Sequence, residues 1–335
     1  MRIIFLLARI FHCSRDAKAD AAVSYSPDQN PLSALPHQPS RLSRHESDEI
    51  LGLARAFLWM LIFSVHSLLA KENVDPSSHP IRVVAAENFY GNIAQQIGKN
   101  RVIVTSIINS PNQDPHEFQP TAAVAKAVAD ADIIIKNGVG YDSWIDKLIA
   151  TKGNPNCIVI TVASFVKTEP RENPHLWYNP ETMVLLAEKL AQVLKMPSSA
   201  VAFDEEMKPL FEKINFLKTH YPNLLVTATE PLFTPMAKVL GWKMVNEDYQ
   251  WAVMNEIEPS FQQIVDYQES LNNQKVRLLF YNKQVTNLSV QQLQRLAEKN
   301  KIPVIGITEL QPLDAPTYQS WMIAQLKSVE HALVP

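Results

Sequence analysis

Two histidines and two glutamates stand in loops that the sequence predicts to follow strands. His116 and His175 lie in proline-bounded loops, whereas Glu230 and Glu309 each come directly after a predicted strand. Imidazole nitrogens and carboxylate oxygens together suit a divalent transition metal. Taken singly, a histidine in a loop is more often a surface or packing residue than a ligand. A glutamate after a strand is more often a charged residue at the start of a helix or at the edge of a cleft. Four of them at equivalent strand ends favour a metal site.

Three further residues are candidates for a layer around such a site. Trp177 follows His175 closely and is expected to shield it from water, which controls the local dielectric and solvent access. Asn255 and Asn282 are candidates to reach the same cleft. Tyr141, in contrast, is expected to pack the interior of the first lobe, and lining the cleft is the less favoured alternative for it.

These residues must be positioned by the strands and helices that alternate from residue 80 onward. Strands are predicted at 81–85, 102–108, 133–136, 157–161, 224–227, 276–281 and 304–307. Helices are predicted at 88–97, 121–129, 142–149, 182–194, 203–220, 233–240, 259–271 and 289–299. Alternation of this kind predicts parallel βαβ units, and its repetition predicts an α/β protein of two lobes, each with a mostly parallel sheet. A cleft between two lobes is a preferred place for a ligand.

The composition of the chain argues against several other classes of protein. The chain has 335 residues, of which 46% are hydrophobic, and this is enough for two domains with real cores. A net charge of −3 without a basic cluster argues against nucleic-acid binding. With only 8 glycines there is no glycine-rich phosphate loop.

The first 70 residues are predicted to be a leader. An apolar run at 56–65 follows Arg55 and closes on small residues, which is the layout of a secretory signal peptide ending near Ala70. The alternative is a single N-terminal anchor helix. Because a signal peptide should begin a chain, residues 1–50 are interpreted as an over-long gene model. Cys157 is then the only cysteine after the leader, which excludes an intramolecular disulfide.

Three motifs make the sequence recognisable. Asp114–Thr121 reads DPHEFQPT, Ala131–Gly138 reads ADIIIKNG and Pro174–Trp177 reads PHLW. Together they strongly resemble the zinc/manganese solute-binding proteins of metal-ion ABC importers, over about residues 80–333. The resemblance implies an N-terminal metal-binding lobe at 80–196, a linker at 197–221 with a rigid helix at 203–220, and a C-terminal lobe at 222–335. It also implies that the lobes hold one metal ion in the cleft between them.

The same resemblance implies the ligands. His116 and His175 fall on the two histidine ligands of the first lobe. Glu230 falls at the position where zinc members of the family usually have a third histidine and manganese members have a glutamate. Glu309 falls at the position where most members have an aspartate. The histidine-rich loop of zinc-specific relatives is absent from the sequence. Carboxylates shift preference towards harder ions, so Mn²⁺ or Fe²⁺ is favoured over Zn²⁺ as cargo, although a tetrahedral zinc site stays open.

The expected role is therefore metal capture in the periplasm for a membrane permease and its ATPase, by a monomeric protein that is not an enzyme. An exported metallohydrolase is the main alternative, but it needs an open coordination position and a general base, and neither a His-Glu-x-x-His nor a Gly-x-Ser-x-Gly motif is present. A surface adhesin is the second alternative.

Overall fold

The computed structural model describes residues 79–110, 118–151, 153–167, 173–285 and 288–334. The leader at 1–70 and His116 lie outside these residues. Each of two sheets has four parallel strands. The first sheet contains β1 (Ile81–Glu87), β2 (Val102–Ile108), β3 (Ile133–Lys136) and β4 (Ile158–Thr161), in the order β2-β1-β3-β4. The second contains β5 (Leu225–Ala228), β6 (Lys243–Val245), β7 (Leu278–Asn282) and β8 (Val304–Ile307), in the equivalent order β6-β5-β7-β8.

Helices connect the strands, as the βαβ pattern predicts. In chain order they are α1 (Asn88–Gly98), α2 (Ala122–Ala129), α3 (Ser143–Ala150), α4 (Pro180–Leu194), α5 (Pro197–His220), α6 (Thr234–Leu240), α7 (Glu247–Met254), α8 (Phe261–Asn272), α9 (Leu288–Lys299) and α10 (Tyr318–Leu333). The fold is therefore α/β with two lobes, as expected. No helix among the described residues is long and apolar enough to cross a membrane.

The long helix between the two sheets begins earlier than its apolar spacing predicts. We expect a start at residue 203, whereas α5 begins at Pro197 and runs for 24 residues. Proline is favourable in the first turn because its missing N–H would be unpaired there and its φ is already helical. Met196–Ser199, predicted to separate two helices, thus supplies the first turn of α5 instead of a loop.

One continuous core joins the two lobes. Its buried side chains come from both sheets and from α1, α4, α5 and α10, with Met207 on α5 and Leu326 on α10 among them. An ion pair of 2.6 Å between Lys213 and Glu330 also joins α5 to α10. The C-terminal helix therefore packs against the connecting helix and helps to hold the lobes together.

A ladder of uncharged amides joins α1 of the first lobe to residues 311–319. Asn88 donates to the carbonyl of Gln311 (2.7 Å) and accepts from its N–H (3.2 Å). Asn92 donates to the carbonyl of Pro316 (3.1 Å) and accepts from the N–H of Tyr318 (3.0 Å). Gln96 and Gln319 exchange amide hydrogen bonds of 3.0 and 3.1 Å. The three residues on α1 are four apart, so they share one face of the helix.

Candidate metal centre

The buried pair His175 and Glu309 lies at the centre of the candidate site. Nε2 of His175 is 3.9 Å from Oε1 of Glu309, and the two side chains are 1% and 4% exposed. His175 comes from the loop before α4, and Glu309 follows β8 by two residues. The two residues come from different lobes, so the fold brings together one imidazole and one carboxylate across the cleft.

Asn282 joins the carboxylates of Glu230 and Glu309. This asparagine is the last residue of β7 and is 2% exposed, and its Nδ2 donates to Oε2 of Glu309 (2.8 Å) and to Oε2 of Glu230 (3.2 Å). Glu230 itself is half-buried and follows β5. Because β5 and β7 are neighbours at the point where strand order reverses, their carboxyl ends form the crevice in which parallel α/β sheets bind ligands.

Main-chain hydrogen bonds fix the loop that carries Glu309. Oε1 of Gln284 accepts from the N–H of Glu309 (2.7 Å) and from that of Leu310 (2.9 Å). The N–H of Gln284 in turn donates to Oδ1 of Asn282 (3.0 Å). The amide that contacts the two carboxylates and the loop that carries Glu309 therefore belong to one network.

Tyr141 contacts the site, which corresponds to the less favoured of two expectations for it: packing the first lobe or lining the cleft. Its hydroxyl donates to Oε1 of Glu309 (2.7 Å), and its ring lies 5.1 Å from that of Trp177. Burial, and then the charge of Glu309, raise the pKa of Tyr141 well above its ordinary value of 10.0. The phenol thus stays protonated and remains a hydrogen-bond donor. Gly138 and Gly140, which precede Tyr141, both have positive φ, a backbone conformation that glycine adopts without strain.

Asn173 orients the imidazole of His175. Its Oδ1 lies 2.8 Å from Nδ1 of His175 and accepts from the His175 N–H (3.0 Å), while its Nδ2 donates to the carbonyl of Pro231 (2.7 Å). An amide oxygen only accepts, so Nδ1 carries the proton and the lone pair of the ring lies on Nε2. Asn173 directly precedes the Pro174–Trp177 motif, and the sequence analysis gives it no role.

Trp177 is fully buried beside His175. Its ring stands edge to face with the imidazole, with ring centres 5.4 Å apart, and it stacks on Phe89 at 4.3 Å. These contacts agree with a shielding position for Trp177. Asn255, in contrast, is exposed, and its amide donates to the carbonyl of Trp251 in its own helix. The structure therefore does not bring Asn255 together with the other candidates.

Glu87 is a buried carboxyl that sequence reasoning missed. It ends β1, is 0% exposed, and neither of its oxygens has a hydrogen-bond partner in the described part of the chain. Burial raises its pKa well above the usual 4.5, and the charges of Asp142 and Glu309 raise it further. The sequence signal that could have identified Glu87 is an acidic residue at the end of a strand, as for Glu309. The predicted strand, however, ends at residue 85, two residues before Glu87.

Across residues 79–110, 118–151, 153–167, 173–285 and 288–334, no three His, Cys, Asp or Glu side chains are grouped closely enough to hold a metal ion. The four residues expected as ligands include His116, on which the structure gives no information. What the described chain provides is one imidazole, two carboxylates nearby, and donors that orient them. Such a donor set suits a divalent cation.

Comparison with known proteins identifies the family. The family model of the zinc-uptake complex component A, periplasmic, matches residues 83–332. The manganese ABC transporter substrate-binding lipoprotein PsaA of Streptococcus anginosus is 27% identical over 275 residues, covering 74% of this chain and 86% of the relative. The metal ABC transporter substrate-binding lipoprotein SsaB of Streptococcus sanguinis is 25% identical over 275 residues, covering 74% and 87%. These relatives are named as substrate-binding proteins and not as enzymes.

Solved structures share the fold. The periplasmic zinc binding protein TroA from Treponema pallidum superposes with a TM-score of 0.65 at 14% identity, covering 77% of this chain and 100% of that one. The Mn-bound periplasmic metal binding protein from Candidatus Liberibacter asiaticus gives 0.64 at 20% identity, covering 76% and 100%. With the two-lobed fold, the buried histidine–carboxylate pair and a family match over 83–332, this chain is a member of the family of the periplasmic zinc-uptake complex component A.

Proposed function

We propose that this protein is an extracytoplasmic substrate-binding protein that captures a divalent transition metal, Mn²⁺, Zn²⁺ or Fe²⁺, and delivers it to the permease of an ABC importer. The observation that carries the proposal is the buried approach of His175 Nε2 to Glu309 Oε1 at 3.9 Å, across the two lobes. Buried histidine and carboxylate side chains without a nucleophile beside them are suited to binding a cation. Relatives named for manganese and zinc support the same reading.

In this proposal His116, His175, Glu230 and Glu309 are the metal ligands. Tyr141, Asn173 and Asn282 hold His175 and the carboxylates in place by hydrogen bonds, and Trp177 keeps water from the imidazole. Two carboxylates favour Mn²⁺ or Fe²⁺ as cargo, whereas the general affinity series favours Zn²⁺ when both are present. The lobes are assigned to 80–196 and 222–335, with residues 197–221 as the linker.

We further propose a periplasmic location, export by a Sec-type signal peptide that ends near Ala70, and a monomeric state. The relatives are named as lipoproteins or periplasmic proteins, which supports export. Delivery requires a membrane permease with its ATPase as partner, since a binding protein cannot itself move an ion across a bilayer.

The test is elemental analysis of the purified protein, followed by competitive titration with Mn²⁺ and Zn²⁺. We expect one tightly held metal per chain, and a loss of affinity of at least about tenfold in His175→Ala, Glu230→Gln and Glu309→Gln, because even changes outside the ligand set often cost that much. Asn223→Asp, at an exposed position before β5 and so at the opposite end of that strand from Glu230, is the control and should bind like the wild type. A protein that stays metal-free and shows no thermal shift with either ion contradicts the proposal.

A further inference from the structure

Asn173 contacts both lobes through one side chain. Its Oδ1 holds His175 by two bonds, to Nδ1 (2.8 Å) and from the main-chain N–H (3.0 Å). Its Nδ2 donates to the carbonyl of Pro231 at 2.7 Å. Pro231 directly follows Glu230, so the amide links the main chain beside one candidate ligand to the imidazole of another. His175 belongs to the first lobe, whereas Pro231 belongs to the second.

The direction of each bond follows from chemistry. A proline carbonyl can only accept, so the nitrogen of the Asn173 amide must face Pro231 and its oxygen must face His175. The oxygen then requires a proton on Nδ1 of His175, which leaves the lone pair on Nε2, the atom that faces Glu309. The tautomer of an imidazole in one lobe is therefore supported by a carbonyl in the other.

We propose that Asn173 is a positioning residue that couples the closure of the lobes to the quality of His175 as a metal ligand; this inference rests on the proposed function. In the closed arrangement, three hydrogen bonds fix the amide. When the lobes separate, the bond to Pro231 is lost, and only the two bonds to His175 hold the amide. The imidazole is then less firmly held, and the metal leaves more readily.

Two substitutions separate the two roles of Asn173. Asn173→Asp keeps an oxygen for both bonds to His175 but cannot donate to Pro231. Asn173→Ala removes all three bonds. The added negative charge of the aspartate would by itself slow the release of a cation, so faster release from this variant is attributable to the lost link between lobes. Asn223→Asp adds the same charge at an exposed position and is the matched control.

Two measurements are needed. The first is ¹⁵N NMR of the histidine side chains in the metal-free protein, which reports which ring nitrogen of His175 carries the proton. The second is the dissociation rate of Mn²⁺ and of Zn²⁺ into excess chelator. Thermal melting of each variant checks that it is folded. The NMR measurement needs no metal, so it decides whether Asn173 orients His175 even where the protein binds neither ion and the proposed function fails.

We expect Asn173→Asp to keep the Nδ1–H tautomer and to release metal about three- to tenfold faster, the factor that one hydrogen bond of typical net strength contributes. We expect Asn173→Ala to mix the tautomers and to weaken binding by about tenfold or more. Release from Asn173→Asp at or below the wild-type rate overturns the coupling between lobes. An unchanged tautomer in folded Asn173→Ala overturns the positioning role altogether.

Discussion

Tyr141 donates a 2.7 Å hydrogen bond to Oε1 of Glu309, the same oxygen that lies 3.9 Å from Nε2 of His175. The phenol comes from the first lobe and the carboxylate from the second, so this bond directs one carboxylate oxygen towards the imidazole. Glu309 is also held by Asn282 through its other oxygen at 2.8 Å. The carboxylate is therefore oriented before any cation arrives.

Removing the phenol oxygen should weaken metal binding. We expect Tyr141→Phe to lower the affinity for Mn²⁺ by about tenfold, because changes to groups that orient ligands typically cost about 10–100-fold. The ring is retained, so packing against Trp177 should change little, and the free energy of unfolding should fall by about 1–3 kcal/mol, the cost of one buried hydrogen bond. Competitive titration beside thermal melting is the measurement. Unchanged affinity in Tyr141→Phe would show that Asn282 alone is enough to orient Glu309.

Glu87 should make the free energy of unfolding depend on pH. Below its usual pKa of 4.5 the carboxyl holds a proton in both the folded and unfolded states and has no effect. As pH rises through that value, the unfolded chain releases the proton while buried Glu87 keeps it, so stability falls until the raised folded pKa is reached. Glu87→Gln mimics the protonated acid and should be more stable than the wild type at pH 7.5 but not at pH 4.

The measurement is thermal or urea unfolding of both proteins across this pH range. Glu181→Gln, at an exposed position in the first turn of α4, is the control and should follow the wild-type profile. If Glu87→Gln is less stable than the wild type at neutral pH, Glu87 is ionised in the folded protein and has a compensating partner.

Trp177 should report metal binding optically. Its ring stands edge to face with His175 at 5.4 Å, so a cation at the imidazole changes the environment of the indole. We expect the intrinsic fluorescence of the protein to change on adding Mn²⁺ or Zn²⁺, and most of that change to be lost in Trp177→Phe. The phenylalanine ring keeps an aromatic contact with Phe89, which lies 4.3 Å away in the wild type. A full response in this variant would locate the bound cation away from His175.

The amide ladder on α1 should contribute to stability. Asn92→Ala removes two hydrogen bonds to residues 316 and 318, and at about 1 kcal/mol for each we expect a loss of about 1–3 kcal/mol in the free energy of unfolding. Gln95→Ala is the matched control, because Gln95 is exposed and its side chain, among the residues that the structure describes, donates to the nearby carbonyl of Lys99 and to no residue of the second lobe. Its effect should stay within about 0.5 kcal/mol. Equal losses in both variants would mean that the ladder adds nothing.

The fold was largely predictable because strand and helix periods differ so clearly here. The predicted bounds of β2, β3 and β8 match the observed ones, and parallel pairing follows from the helices between strands. Periodicity does not establish that His175 and Glu309 meet, because the two residues belong to different sheets in different lobes. Their role as ligands, and that of Glu230, stays a prediction.

What the sequence did not reveal depends on short elements and on tertiary contacts. β6 has three residues, too few to show a strand period. Helix α7 begins at Glu247, directly after Asn246, whose left-handed backbone conformation cannot be predicted from apolar spacing. The C-terminal helix α10 was also missed, although Thr317 and Ser320 form a capping box at its start. The hydrogen bonds of Tyr141 and Asn173 at the site are not predicted, because a hydrogen bond between loops leaves no trace in residue spacing.

The ladder of amides between α1 and residues 311–319 is insensitive to two properties of the surrounding solution. Asn88, Asn92, Gln96 and their partners carry no charge, so neither acidification nor added salt alters their hydrogen bonds directly. The contacts between α1 and residues 311–319 therefore persist when the acidity or the ionic strength of the surroundings changes.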